Sequence, residues 1–115
     1  MTSSSLNQPL LVLTNVPEAE LAERLARLLV ERRLAACVNI LPAVSSIYRW
    51  AGKIEQAIEI PLLIKTTQAC YATLEQAIRD VHPYDVPEIV ILPMAGGLPS
   101  YLQWMRDETA QPLQT

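Results

Sequence analysis

A strand pattern that runs from Ile54 to Thr66 constrains this chain more than any other feature. Ile58, Ile60, Leu62 and Ile64 form one purely aliphatic face, and Glu59, Pro61, Leu63 and Lys65 take the other. The segment from Val44 to Trp50 precedes it across a tight Ala51-Gly52 turn. The two read as a long hairpin of about 30 residues, joined by a short turn. A single domain of 115 residues has too little material to cover such a hairpin. Its tip carries Tyr48 and Trp50, and exposed strand edges invite association. The pattern therefore predicts a partner chain over the hairpin.

The remaining elements follow from periodicity. Pro9 to Thr14 is a short apolar run, consistent with a strand buried on both faces. Pro17 suits a first helical position, and Leu21, Leu25, Leu28 and Leu29 then fall on one helical face. Glu18 and Glu20 sit at the helix start and Arg32 and Arg33 near its end, while Glu20–Arg24 and Glu23–Arg27 are pairs on the wet face. Ala35 to Leu41 is the second strand, and Pro42 predicts a bulge or an edge position there. Thr67 is placed to cap a second helix with Tyr71, Leu74, Ile78 and Val81 on one face, stopped by Pro83. Val86 to Leu92, nearly all apolar, reads as a central strand, and Pro99 to Asp107 as a short helix packing Tyr101, Leu102 and Met105.

This order predicts an α+β, ferredoxin-like β-α-β-β-α-β sandwich. It has a four-stranded antiparallel sheet with both main helices on one face, a long β2-β3 hairpin and a C-terminal helix. Residues 1–8 are expected as a disordered, Ser-rich tail, 9–108 as one domain and 109–115 as a C-terminal tail.

Composition narrows the function. The net charge is −3 with no basic run, which argues against nucleic acid as a partner. The chain carries no cationic leader before an apolar stretch and no window near the ~20 apolar residues of a membrane span, so a cytoplasmic protein is expected. Cys37 and Cys70 lack C-x-x-C spacing and read as small buried hydrophobes in a reducing compartment. Ser45, Ser46 and Ser100 lie outside any G-x-S-x-G setting, and Gly96-Gly97 lacks the spacing of a phosphate loop. No catalytic constellation emerges, and an enzyme is not expected.

The densest chemistry lies in His82-Pro83-Tyr84-Asp85-Val86-Pro87-Glu88-Ile89. Asp85 and Glu88 are an acid–base pair or two solvent-facing residues between prolines. His82 is a metal ligand, or a histidine at a helix C-terminus interacting with unpaired carbonyls. Glu59 and Lys65 share a strand face but lie about 20 Å apart along it, too far to pair within one strand. Each is left as a surface ion or as one side of a cleft completed by another element or chain.

Leu34-Ala35-Ala36-Cys37-Val38-Asn39-Ile40 with Pro42, Ser46 to Trp50 with Gly52-Lys53, Leu63-Ile64-Lys65-Thr66-Thr67, the His82 to Ile89 stretch, and Tyr101-Leu102 with Trp104 together resemble the CutA family, the divalent-cation tolerance proteins. The match is collinear from Leu10 to Glu108. The resemblance implies a homotrimer whose long hairpins join across subunits. It also implies binding of copper, another divalent cation or a small effector at or between subunits. The alternative it leaves is a structural or signalling-type trimeric module with no metal site. Cys37, Tyr48 and Trp50 match family motif positions. Glu59, Lys65, Tyr84 and Glu88 are implied at an inter-subunit cleft, and His82 matches a proposed copper ligand. Copper schemes for some members also use a cysteine on the first strand and a histidine pair before Pro-Tyr; those positions here hold Thr14 and Val81.

Overall fold

The computed structural model describes residues 5–109. The elements run β1 (Pro9–Val16), α1 (Ala19–Glu31), β2 (Cys37–Ile40), β3 (Val44–Trp50), β4 (Lys53–Thr67), α2 (Gln68–Val81), β5 (Ile89–Pro93) and α3 (Pro99–Glu108). The sheet order is β2-β4-β1-β5 with every pair antiparallel, and β3 pairs with the outer half of β4. This is the ferredoxin-like arrangement predicted from the element order.

Alternation sets the layers. Val12 and Val16 of β1 and Leu62 and Ile64 of β4 pack with Leu21, Leu25 and Leu29 of α1 and Leu74 and Ile78 of α2 in one aliphatic core. Helix α3 lies against β1 and β4 and buries Met105 completely. Pro17 lies ahead of the helix rather than in its first turn, since Glu18 is the N-cap and α1 begins at Ala19. Thr67 does occupy the N-cap of α2, but its side chain makes no capping hydrogen bond.

Pro42 produces the expected break. Ile40 stands opposite Leu62 and Val44 opposite Glu59, so Leu41, Pro42 and Ala43 face only Ile60 and Pro61. One extra residue on one strand is a bulge. The Leu41 amide donates to the Pro61 carbonyl at 2.9 Å. Beyond the bulge β3 and β4 run on as a hairpin, closed by Ala51 (φ 52°) and Gly52 (φ 79°). Two central residues with positive φ are the tight turn whose twist matches that of paired strands.

The hairpin outruns the domain. Strand β1 ends its pairing at Val16 opposite Ile60, leaving Lys53 to Glu59 with β3 alone as neighbour. The radius of gyration is 15.1 Å and the longest extent 46 Å, against about 13 Å for a compact chain of this length. Ile47, Ile54 and Ile58 are each more than 60% exposed.

The Val86 to Leu92 reading needs correction. The strand is Ile89–Pro93, and it lies at an edge of the sheet, paired with β1 alone. Pro87 has no N–H to give a ladder and Val86 is largely exposed, so pairing starts only at Ile89. The apolar character that suggested a central strand is instead left uncovered, with Val90 and Leu92 nearly half exposed.

Two residues at the inner ends of the expected tails make ordered contacts. The Gln8 side chain donates to the carbonyls of Pro9 and Met94, and the Gln8 backbone carbonyl accepts the Gln68 amide. Thr109 is buried, with its hydroxyl donating to the Met105 carbonyl at 2.7 Å. Of the rest of the expected tails, Ser5 and Asn7 offer carbonyls to the Gln8 amide and to Arg106 Nε, and residues 1–4 and 110–115 lie outside the described residues.

Candidate functional site

A groove of about 700 Å3 opens where the hairpin leaves the sheet. One wall is a hairpin face carrying Ser46, Tyr48 and Trp50 of β3 and Glu59 of β4, with Ile47 beside them. The opposite wall is Tyr84, Asp85, Val86 and Glu88, from the link between α2 and β5. Asn15, near the end of β1, joins the two walls.

The link is held in place by its prolines and by His82. Pro83 forces the residue before it out of the helical region. His82 accordingly has φ −77° and ψ 132°, while its amide still closes the last helical turn on the Ile78 carbonyl. The imidazole is buried. Its Nδ1 accepts the Tyr84 amide at 3.3 Å, and its Nε2 lies 2.7 Å from the Asn15 carbonyl. A carbonyl can only accept, so Nε2 carries the proton. The Tyr84 ring packs on the imidazole at 4.8 Å, and its hydroxyl donates to Glu59 Oε2 at 3.3 Å. Asn15 bridges the same elements a second time, its amide donating to Glu88 Oε1 at 2.9 Å.

Glu59, Tyr84 and Glu88 are thus brought to one groove. Lys65 is not: it lies further along β4, opposite Leu11 and Cys37, with its ammonium 5.6 Å from the centre of the Tyr101 ring. His82 supports the groove wall from behind, with both ring nitrogens engaged. Thr14 is fully buried and its hydroxyl has no hydrogen bond, while Val81 is the last residue of α2. Among the described residues no group of three or more His, Cys, Asp or Glu side chains converges as a metal site. The residues present do not by themselves fit a copper centre, which favours imidazole and thiolate. Cys37 is partly exposed, and Cys70 is buried with its thiol 3.2 Å from the Thr109 carbonyl.

Asn15 had no place in the reading of the sequence. Its one signal was an amide near the end of an otherwise apolar strand. Asp85 and Val86 stood in the stretch singled out, and Tyr48 and Trp50 were marked as hairpin aromatics; their convergence depends on the bulge and on the hairpin's path.

Electrostatically the groove is one-sided. Glu59, Asp85 and Glu88 line it, and no Lys, Arg or His does. The Tyr84 hydroxyl is held above its ordinary pKa of 10, by burial first and then by the Glu59 charge and hydrogen bond, with a smaller contribution from Tyr48. Burial and Glu75 push Tyr71 up to about 12. Both phenols bind their protons more tightly folded than unfolded. Their contribution to stability is complete below pH 10 and is lost as pH rises through their folded-state values. In an alkaline titration followed at 295 nm, Glu59→Gln is expected to move one of the four tyrosine transitions to lower pH. An unchanged curve would separate Tyr84 from Glu59.

The antiparallel sheet and its two covering helices define a ferredoxin-like α+β protein. The chain belongs to the CutA1 divalent ion tolerance protein family, whose model it matches over residues 10–108. It is 50% identical over 98 residues to the divalent-cation tolerance protein CutA of Thermus thermophilus, covering 85% of this chain and 95% of that one. It is 46% identical over 93 residues to human Protein CutA, covering 81% of this chain and 52% of the relative. The chain thus spans nearly all of its bacterial relative and about half of the human one. The crystal structure of CutA1 from Shewanella sp. SIB1 superimposes with a TM-score of 0.88 at 44% identity, over 90% of this chain and 97% of that one.

Proposed function

We propose that the chain assembles as a homotrimer and holds a divalent cation or a small effector in the groove between hairpin and α2–β5 link, as a binding protein rather than an enzyme. The observation that carries this reading is Glu59. It is a carboxylate only 8% exposed, at the edge of an open groove, with no cation beside it among the described residues. Such a charge is costly to bury unpaired, so the site is incomplete until a cation or a second chain completes it. The groove offers carboxylate, amide and hydroxyl oxygens, donors that suit hard cations better than copper. The bare hairpin and the exposed edge strand β5 supply the surfaces for assembly. The name of the Thermus thermophilus relative speaks of divalent-cation tolerance, and this reading gives the chain the same role. Among the described residues no helix is long and apolar enough to cross a membrane, and the two free thiols suit the cytoplasm.

Thermal unfolding against a panel of divalent metals and small effectors tests this. A saturable rise in Tm, reduced in Glu59→Gln, is the expected result. A trimer that responds to none of them would instead be a structural or signalling-type interaction module.

A further inference from the structure

We infer that the groove is a receptor for an organic ammonium head seated on Glu59. This rests on the groove being the binding site proposed above, and names the class of its ligand. Glu59 has one hydrogen-bond donor, the Tyr84 hydroxyl, and no Lys, Arg or His of the described residues pairs with it. A carboxylate has about four acceptor positions, and a neutral phenol fills one. The open side of the carboxylate is the place for a cation, held by N–H donors where it has them and by charge where its nitrogen is alkylated.

The walls select the kind of cation. Tyr48, Trp50 and Tyr84 bring three aromatic rings to the groove. The negative face of an aromatic ring attracts ammonium groups, and carboxylate and rings together recognise alkylated nitrogen. Ile47 and Val86 add apolar surface that a hydrated metal ion has no use for but a carbon skeleton does. The volume of about 700 Å3 is that of a site for a small organic molecule. Phosphates and carboxylates are excluded, because Asp85 and Glu88 meet them with like charge and no basic side chain answers.

A lysine side chain from a second copy offers the same head group as a free amine. The chain has two lysines, Lys53 and Lys65, so the two sources can be separated. In full-length protein carrying Trp104→Phe, Trp50 is the remaining indole and its emission reports the groove. Butyltrimethylammonium is expected to change that emission saturably, and sodium butyrate is not. Glu59→Gln should weaken the ammonium at least about tenfold, as expected when the opposite charge beside it in a partly desolvated site is lost. Asp85→Asn with Glu88→Gln leaves the buried carboxylate in place and should weaken it about two- to threefold, more at low salt than at high.

Binding by the otherwise native protein identifies a free amine as the occupant. Binding only after Lys53→Gln and Lys65→Gln identifies a lysine of the second copy, and likewise places an ammonium on Glu59. Three results overturn the inference: no response in either background, equal response to butyrate, or an affinity untouched by Glu59→Gln. Sedimentation of the same samples separates this from the parent reading. A trimer blind to ammonium defeats the ligand class alone, and a monomer that binds it defeats the trimer alone.

Discussion

Trp50→Ala is expected to raise the dissociation constant of the assembly by about thirty- to a thousandfold and to leave the domain's own fold intact. Trp50 stands at the hairpin tip beside the turn, 54% exposed, with none of its pairing strand-mates buried. It makes no contribution to the aliphatic core under α1 and α2. Its replacement therefore removes little from the single chain. In an interface the same ring is an anchor, and truncating such an anchor costs about 2–4 kcal/mol, which gives the stated range at 1.4 kcal/mol per factor of ten. Sedimentation velocity over a dilution series reads the change directly. A profile identical to that of the unsubstituted protein would remove the hairpin tip from the interface. Trp50 also lines the groove, so the ammonium response should weaken in step.

His82→Ala is expected to destabilise the protein by about 2–4 kcal/mol while leaving uptake of Cu(II) unchanged. The buried imidazole closes two contacts at once, to the Asn15 carbonyl and from the Tyr84 amide. Losing it leaves both part-buried backbone groups without that partner, each at a cost below the ~1–3 kcal/mol of a fully buried group. It also empties the space behind the groove wall, so Tyr84 is freed from its place over Glu59. Urea unfolding at fixed protein concentration measures the first effect and titration calorimetry with Cu(II) the second. A variant that keeps its stability and loses copper would make His82 a metal ligand and overturn the structural role assigned to it.

Much of the fold was legible because it depends on local pattern. The alternation of Ile58 to Ile64, the helical stripe of Leu21, Leu25 and Leu29, and the stops at Pro42 and Pro83 each act within a few residues. The element order then leaves few topologies open. The misplaced strand shows the limit. An apolar run looks the same at the centre of a sheet and at an edge meant to be covered, so Ile89–Pro93 could not be placed from its residues alone. The surplus length of Ile54 to Thr66 was the clearer sign, and its outer half is the part that the sheet leaves uncovered.

The site was legible only in part. Glu59, Tyr84 and Glu88 came from the resemblance and meet in the groove; Lys65, from the same source, lies further along the strand beside Tyr101. Strand spacing alone already kept Lys65 from Glu59 within one chain. Asn15 was invisible because its role is to tie the Glu88 carboxylate and the His82 ring to the end of β1, a juxtaposition across 67 and 73 residues. The stretch from His82 to Ile89 carries two kinds of residue. His82 and the prolines fix the backbone, and Tyr84, Asp85 and Glu88 face the space that backbone encloses.

The proposed trimer would cover the bare hairpin and complete the surroundings of Glu59. Sedimentation equilibrium of the unmodified protein at micromolar concentration tests it most directly. The expected result is a single species of three chain masses that persists on dilution. A stable monomer across that range would rule the trimer out.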